Sequence, residues 1–225
     1  MQKYFFNILI LSIAALTFAA CSKDKNDGTE TILVKPHYPT ITLNGNKFVS
    51  QSVGTGAYTD PGAVGYNDQT KTNENLTPIK NTVDLTTPGF YTVTYQFRNN
   101  DGYEVSATRF VLVTTVNASQ NFSGLFQRNA DPTRPANLSK IGTGLYLIDN
   151  VGGVILPTQA PAEPAYIGFT SDTTIQIPLQ TTPDGTAVAA TEGKSYITPT
   201  DTVMQWRMTA GPFSFSNTRV FYKVH

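Results

Sequence analysis

Cysteine is almost absent from this 225-residue sequence, which contains only Cys21. A single cysteine cannot form a disulfide within the chain, even in an oxidising compartment. Cys21 lies next to an apolar N-terminal run, and the rest of the chain has no cysteine that could act as a nucleophile. The folded parts must therefore be stabilised by their cores.

Histidine is equally scarce, with only His37 and His225 in the whole sequence. Two histidines, one in a polar N-terminal stretch and one at the last position, argue against a Ser-His-Asp triad and a histidine-rich metal site. The sequence also lacks a glycine-rich phosphate loop leading into a helix. We therefore predict no cofactor and no metal.

A glycosidase needs only two carboxylates about 5–10 Å apart, so residue counts alone do not exclude one. The acidic residues of the second half mostly lie in turn contexts, beside Pro, Gly, Ser or Asn: Asp131, Asp149, Glu163, Asp172, Asp184, Glu192 and Asp201. A small β domain also has little room for a deep cleft. We expect a non-catalytic protein, with a hydrolase as the alternative that two facing carboxylates in a cleft would support.

Charge is low and balanced. Charged residues make up 14% of the sequence with a net charge of zero, against about 25% in typical domains. No basic patch is present to contact a phosphate backbone, so we predict no nucleic-acid partner.

The sequence has one long apolar run, over residues 5–20, which follows Lys3 and is followed by charged residues just after Cys21. This pattern is typical of a secretory signal. The run is marginal for a membrane span, which needs about 20 apolar residues. We predict a signal peptide over residues 1–20.

The segment Phe18-Ala19-Ala20-Cys21 resembles a bacterial lipobox, although leucine is commoner at the position of Phe18. The resemblance implies that Cys21 is acylated and becomes the first residue of the mature protein. Because each buried CH₂ contributes about 0.8 kcal/mol, several acyl chains would hold the protein stably on a membrane. The alternative is a chance cysteine near an ordinary cleavage site.

Residues 21–39 are predicted to form a flexible tether, because charge, glycine and proline keep most of this stretch out of a core. The run after Cys21, SKDKNDG, resembles the tethers of lipoproteins that Bacteroidetes send to the outer membrane. Ser22, where aspartate would signal retention, argues against the inner membrane. The resemblance implies a lipid-anchored outer-membrane protein, at the cell surface rather than on the periplasmic face.

Beyond the signal, the sequence predicts an all-β protein. Thr, Val, Tyr and Phe are abundant, turn residues recur, and no long segment has a 3.6-residue apolar period. Over residues 91–98 apolar and polar residues alternate, which predicts a strand with one apolar face. Residues 99–102, Asn-Asn-Asp-Gly, predict a hairpin turn, and a second strand is predicted over residues 103–114.

Three segments between residues 40 and 115 resemble a bacterial Ig-like module found in surface proteins and pesticidal crystal proteins: PTITLNG, YTDPGAVGYND and VDLTTPGFYTVTYQFRNNDGYEVSATRFVLV. The matching positions are Tyr58, Asp60, Pro61, Gly62, Ala63, Thr86, Pro88, Gly89, Tyr91, Val93 and Tyr95. The resemblance implies a β-sandwich over residues 40–115 and says almost nothing about function. Asp60, Asp68 and Asp101 could be calcium ligands, but no Asp-x-Asp-x-Asp-Gly loop is present, and a role in turns is favoured.

Residues 120–225 are predicted to form a small antiparallel β-barrel or sandwich. Seven short strands are predicted: 122–127, 144–148, 165–169, 174–179, 186–190, 203–208 and 213–222. The start, FSGLFQRN, and the end of this region resemble C-terminal domains of uncharacterised Bacteroidetes lipoproteins. Many of these are associated with glycan uptake, so the resemblance implies a glycan-related role.

The candidate ligand-binding residues are aromatic, because sugar sites combine flat aromatic faces with amides and carboxylates. They are Trp206, Tyr146, Tyr166 and Tyr196, with Tyr222 as a further possibility. Met204, Trp206 and Met208 share one strand face, however, and such a stripe is more often core. The Pro- and Gly-rich segment 149–166 is either a binding loop or a connection.

Two main functions remain open. The first is a glycan-binding or glycan-uptake accessory lipoprotein, whose partner would be a polysaccharide. The second is a structural or adhesin-like lipoprotein that contacts an outer-membrane protein. An exposed aromatic patch would favour the first, whereas burial of all candidate aromatics would favour contact through a flat polar surface or a strand edge.

Overall fold

A computed structural model describes residues 35–153, 163–183, 185–198, 201–210 and 218–225. The predicted signal peptide, Cys21 and most of the tether lie outside these residues. Within them the regular structure is entirely β, with fifteen strands. The first seven are β1 (Thr40–Leu43), β2 (Phe48–Ser52), β3 (Ala63–Asn67), β4 (Thr72–Leu76), β5 (Lys80–Asn81), β6 (Gly89–Arg98) and β7 (Glu104–Thr114).

The Ig-like domain consists of two sheets, with strand orders β1-β3-β4 and β2-β7-β6-β5. β6 and β7 form the predicted hairpin, paired without a break from Gly89 opposite Val113 to Arg98 opposite Glu104. The alternation in β6 directs Val93 and Tyr95 into the sandwich core, as the period of two predicts. The strand predictions for this hairpin are confirmed.

Asp60 lies at the centre of a polar cluster inside this domain. Arg109, which is fully buried, forms an ion pair with its carboxylate and also donates to three backbone carbonyls. The Asp60 carboxylate accepts hydrogen bonds from the Tyr58 hydroxyl (2.9 Å), the Gly62 N–H (2.8 Å), the Tyr95 hydroxyl and the Arg109 guanidinium. Asp60 therefore both shapes its turn and neutralises a buried cation.

The chain contacts the Ig-like domain from His37 onwards. The His37 ring nitrogen lies 2.9 Å from Asp68, and the Asn99 side-chain amide donates to the His37 carbonyl at 2.5 Å. Tyr38 packs on Tyr103 with a ring-centroid distance of 4.8 Å. Residues 37–225 form one compact unit.

The C-terminal half closes into an eight-stranded barrel within the described residues. The strands are β8 (Gly124–Arg128), β9 (Asp131–Gly142), β10 (Leu145–Ile148), β11 (Ala165–Ser171), β12 (Thr174–Thr181), β13 (Ala187–Ile197), β14 (Thr202–Ala210) and β15 (Thr218–Lys223). Each strand is antiparallel to its neighbours, and β15 pairs with β8 to close the ring. Apolar side chains fill the interior, as expected for a small barrel.

β9 is a strand that the sequence did not predict. Its sequence, DPTRPANLSKIG, contains two prolines and few β-branched residues, so local propensity predicts a loop. Pairing with β8 on one side and β10 on the other overrides that propensity. The predicted strand at 186–190 is also too short, since β13 continues to Ile197, and the predicted strand at 213–222 lies partly outside the described residues.

The two domains meet through the outer face of the sheet β2-β7-β6-β5, a contact that we call the junction. Phe48 on this face stacks on Phe110 and on Tyr166 of the barrel wall, with centroid distances of 4.7 and 3.9 Å. Leu112 and Leu145 belong to the same apolar cluster. The sheet thus buries apolar side chains on both faces: one face packs in the sandwich core, and the other face packs against the barrel.

Hydrogen bonds and a glycine tighten the junction. The Phe90 N–H donates to the side-chain oxygen of Gln176 (3.0 Å), and the Thr114 hydroxyl donates to the Phe169 carbonyl (2.6 Å). A Cβ on Gly168 would lie 2.5 Å from the Phe90 ring, so only glycine allows this approach. The two domains are therefore in direct contact, not separated by a spacer.

Candidate functional site

Two of the candidate aromatics, Trp206 and Tyr146, are fully buried in the barrel core. Trp206 stacks on Phe221 at a centroid distance of 4.7 Å, and its indole N–H donates to the Val151 carbonyl at 3.0 Å. The Tyr146 hydroxyl accepts the Phe122 N–H at 3.0 Å, and burial raises the pKa of Tyr146. Both rings contact protein and present no open face to a ligand.

The other two candidates lie on the outer wall of the barrel, in different places. Tyr166 belongs to the junction, where its ring is stacked on Phe48. Tyr196 on β13 is 42% exposed. The structure therefore does not bring the four sequence-predicted residues together, and only Tyr196 has a substantially open ring.

Tyr196 belongs to an aromatic row on the outer wall that we call the tyrosine ledge. In strand register Tyr196 is opposite Val203 on β14, and Val203 is opposite Tyr222 on β15. Met204 points into the barrel core, so its neighbour Val203 lies on the outer face of β14. Val203 is nevertheless fully buried. The ledge thus presents two tyrosines on either side of a covered valine, and Tyr222 is half-buried.

The next row along the same wall is polar. Thr174 on β12 is opposite Lys194, and Lys194 is opposite Gln205 on β14. Thr174 and Lys194 are exposed and Gln205 is half-buried. A hydroxyl, an ammonium and an amide therefore lie side by side next to the ledge and offer both hydrogen-bond donors and acceptors.

A groove of about 540 Å³ lies where the barrel wall meets the Ig-like domain, and we call it the junction groove. Its size falls within the about 300–1,000 Å³ typical of ligand sites, which often form between domains. Its lining includes Phe90 from the Ig-like domain, Thr174, Gln176 and Pro178 from β12, and Ala190, Thr191, Glu192 and Gly193 from β13.

An irregularity in β13 forms one side of the junction groove. The register with β14 shifts between Thr191 and Lys194, which marks a β-bulge, and Glu192 has a left-handed φ of 57°. A Cβ on Gly193 would lie only 2.2 Å from the Ile175 carbonyl oxygen, so β12 and β13 require a glycine at this point. The bulge places Glu192, an exposed residue, at the groove. An oxygen of its carboxylate lies 3.6 Å from a guanidinium nitrogen of Arg207.

The junction groove combines an aromatic ring, an amide and a carboxylate: Phe90, Gln176 and Glu192. The Phe90 backbone N–H holds the Gln176 side-chain oxygen, so a contact between the domains orients this amide. Of the described residues that line the groove, only Glu192 is a carboxylate, whereas glycosidase chemistry requires a pair. The arrangement is suited to binding a ligand rich in hydroxyl groups.

Phe90, Gln176 and Glu192 were not predicted from the sequence to form a binding site. Phe90 belongs to a strand whose other face is core, and nothing local shows that its outer face meets a second domain. The pair Glu192-Gly193 inside a strand pattern is the one available signal, because an isolated glycine in a strand suggests a bulge.

The three aspartates weighed as calcium ligands have other partners. Asp60 contacts Arg109, and Asp68 bonds to Lys71 at 2.5 Å and to His37 at 2.9 Å. Asp101 accepts the Gln69 side-chain amide at 3.2 Å. Bonds from Lys71 and His37 lower the pKa of Asp68 to about 2. Across the described ranges no group of three or more His, Cys, Asp or Glu residues could hold a metal ion.

The suggested binding loop, residues 149–166, is described only in part. Residues 154–162 lie outside the described ranges, whereas residues 149–153 pack against the end of the barrel, where the Val151 carbonyl meets Trp206. In the part of the chain that the structure describes, no helix is long and apolar enough for a membrane span.

Residues 41–113 match a family model described as "Bacterial surface protein, Ig-like domain". This match covers the observed two-sheet domain and accounts for about a third of the chain. No curated protein matches the sequence.

Two solved structures show weak similarity. The lipoprotein BT2262 from Bacteroides thetaiotaomicron is 19% identical with a TM-score of 0.37, over 83% of this chain and 100% of that chain. The M60 catalytic domain with the CBM51-1 and CBM51-2 domains from Clostridium perfringens ZmpB is 13% identical with a TM-score of 0.28, over 76% of this chain and 14% of that chain. At these TM-scores neither similarity bears on function.

Proposed function

We propose that this protein is a lipid-anchored, non-catalytic protein of the outer membrane that binds glycan at the junction groove and faces the cell exterior. The proposal has two parts, the anchor and the binding site. They rest on different residues, so each has its own test.

The anchor rests on the N-terminal sequence and on the Ig-like domain. The apolar run of residues 5–20 followed by Ala19-Ala20-Cys21 suits a lipoprotein signal. The match of residues 41–113 to an Ig-like domain of bacterial surface proteins agrees with display outside the cell. Acylation of Cys21 would attach the protein to the membrane, because several buried acyl chains bind far more strongly than one.

The observation that carries the glycan proposal is the meeting of Phe90, Gln176 and Glu192 in the junction groove. An apolar sugar face packs on an aromatic ring, and its hydroxyls bond to amides and carboxylates, which offer fixed acceptors. Trp206 and Tyr146 take no part, since both are core residues. The non-catalytic role is supported by the single carboxylate among the described lining residues.

The junction also favours binding because it orders the groove in advance. Phe90 reaches the groove from one domain and Gln176 from the other, and a hydrogen bond of 3.0 Å joins them. A site that is already ordered loses less conformational entropy when a ligand binds.

The test is a glycan array of host and plant polysaccharides probed with the full chain, compared with Glu192→Gln. Glu192→Gln keeps the size and backbone of the residue and removes its charge, so we expect saturable binding that weakens at least about tenfold, about 1.4 kcal/mol. Glu74→Gln is the matched control, because Glu74 is exposed on β4 in the other sheet of the Ig-like domain. A blank array for the wild-type protein would contradict the proposal.

A protein partner is the second candidate function, and exposed apolar side chains favour it. Leu179 is 64% exposed and lies beside a second groove, of about 430 Å³, whose lining includes Ile41 and Phe110. Ile197 is 75% exposed. A structural or adhesin-like protein would use such side chains in a contact, and a capture experiment from outer membranes that depends on Leu179 would favour this function over glycan binding.

A further inference from the structure

We infer that the ligand is an extended polysaccharide chain that leaves the junction groove and crosses the tyrosine ledge. This inference rests on the proposed function and adds to it the length and path of the ligand. The ledge is then a second part of the binding surface, formed by Tyr196, Val203 and Tyr222.

The groove and the ledge are continuous on the barrel wall. Thr174 lines the groove, and its cross-strand partner is Lys194 on β13. Tyr196 follows Lys194 by two residues on the same strand face, about 7 Å further along. Glu192 at the groove and Tyr196 on the ledge thus lie on the same strand and are both exposed, with Lys194 between them.

The dimensions of this surface exceed a single sugar ring. β12 and β15 are three strand spacings apart, about 14 Å, and Tyr196 and Tyr222 are two spacings apart, about 10 Å. The register places these tyrosines on β13 and β15 with β14 between them. A short ligand that fills the groove would leave the ledge empty, whereas a longer chain can contact both.

The composition of the surface also fits a chain of sugars. Each tyrosine offers a ring to an apolar sugar face, and the row next to the ledge carries the side chains of Thr174, Lys194 and Gln205. The tyrosine ledge and the neighbouring row of hydroxyl, ammonium and amide groups offer apolar and hydrogen-bonding contacts side by side. A surface that binds a flat protein partner would need a larger exposed apolar patch than the ledge offers, because Val203 is covered.

The test is a length series measured by calorimetry with the full chain in detergent. The probes are oligosaccharides of two to eight sugar units from β-1,4-glucan, xylan, mannan, α-1,4-glucan and polygalacturonate. We expect weak binding of short members in one series and an increase in affinity of about tenfold, about 1.4 kcal/mol, once the chain reaches the ledge.

Substitutions separate the ledge from the groove. Tyr196→Ala should abolish the increase with length and leave the affinity for the shortest binding member unchanged, whereas Tyr196→Phe should retain the increase because the ring remains. Tyr222→Ala provides a second variant if Tyr196→Ala proves unstable. Tyr103→Ala is the control, an exposed tyrosine on the Ig-like domain that should behave as wild type.

The outcomes are distinct. An increase with length that Tyr196→Ala removes supports the inference. Equal affinity at all lengths, or an increase that survives both tyrosine substitutions, overturns the inference and leaves the proposed glycan function standing. Failure of every series and of the polysaccharide array to bind overturns the proposed function as well.

Discussion

Asp60 shows how one residue of the Ig-like signature supports the domain. Burial alone would raise the pKa of its carboxyl, but hydrogen bonds from Arg109, Tyr95, the Gly62 N–H and Tyr58 hold that pKa below its ordinary value. Arg109 has no exposed side-chain surface. A buried guanidinium without a counter-ion is unfavourable, so Asp60 is required by the charge of Arg109.

Asp60→Asn should lower the free energy of unfolding by about 3–5 kcal/mol, because it leaves the Arg109 charge buried without its partner. Urea unfolding followed by circular dichroism measures this. Asp101→Asn is the control, since Asp101 is an exposed turn residue of the same domain, and it should change stability little. A similar small effect for both variants would show that the cluster is not important for stability.

The lowered pKa of the Asp60 carboxyl predicts that the protein loses stability in acid. Because the folded-state pKa of Asp60 is lowered, its contribution to stability is fully present above the unfolded-state value near 3.9 and is lost as the pH falls through the folded-state value. Unfolding free energy measured from pH 6 down to pH 2 should decline more steeply for the wild type than for Asp60→Asn below about pH 4. Parallel curves would count against this assignment.

Glu192 combines unfavourable backbone geometry with a place in the candidate site. Its φ of 57° costs a non-glycine residue about 1–2 kcal/mol, whereas its exposed ion pair with Arg207 contributes about 0–1 kcal/mol. Strain of this kind is often found where function requires it.

Glu192→Gly should therefore raise the free energy of unfolding by up to about 1 kcal/mol, because glycine adopts this φ without strain. The same change should abolish glycan binding, since the carboxylate is lost. Glu192→Ala keeps the strained backbone and loses the carboxylate, so it should lose binding without the gain in stability. Thermal unfolding and calorimetry on both variants check the prediction, and a marked loss of stability in Glu192→Gly would refute it.

At the residue scale, the sequence separated core aromatics from surface aromatics only partly. The shared strand face of Met204, Trp206 and Met208 favoured a core stripe over the ligand-binding role also considered for Trp206, and the structure places all three side chains in the barrel core. Phe90 could not be assigned in this way, because its strand buries both faces and the sequence does not show which contact lies at the second. Glu192 was placed in a turn by its neighbours, whereas the pairing of β12 with β13 places it in a bulge.

At the element scale, the two-residue alternation of apolar and polar residues predicted most strands but not β9. β6 and β7 have clean alternation and a turn of Asn and Gly residues, so local sequence determines them. β9 contains Pro132 and Pro135, and its extended form depends on neighbours that are distant in space. Closure of the barrel is a property of all eight strands together, which is why the sequence left barrel and sandwich open.

Gly168 on β11 is the point where the junction is most sensitive to substitution. An added Cβ would lie 2.5 Å from the Phe90 ring and 2.7 Å from Leu112. Gly168→Ala should destabilise the protein by about 1–3 kcal/mol through overpacking, and it should weaken glycan binding by displacing Phe90. A thermal melt and a binding isotherm measure the two effects.

Gly89→Ala is the matched control for Gly168→Ala. A Cβ at Gly89, on β6, meets nothing closer than 3.7 Å, which is ordinary contact. If Gly168→Ala melts and binds like Gly89→Ala, the junction does not depend on this close approach.

At the scale of the whole molecule, the Ig-like domain shares the junction and the junction groove with the barrel. One of its sheets covers the barrel wall and supplies Phe90 to the junction groove. The glycan proposal therefore requires both domains, and neither domain alone contains the groove.

Cys21 links this assembly to the membrane in our proposal. Cys21→Ser should abolish incorporation of a labelled fatty acid and release the protein from the membrane fraction, because serine lacks the thiol that is acylated. Labelling and fractionation of cells that produce each form measure this directly. Undiminished labelling of Cys21→Ser would contradict the lipoprotein assignment.

The most direct test of the central claim is affinity electrophoresis of the full chain in gels that contain individual host and plant polysaccharides. We predict that the wild-type protein is retarded by at least one polysaccharide and that a double variant, Glu192→Gln with Tyr196→Ala, migrates as it does in a gel without polysaccharide. Equal retardation of the two proteins would place glycan binding elsewhere on the molecule. No retardation of the wild type by any polysaccharide would contradict glycan binding and favour a protein partner.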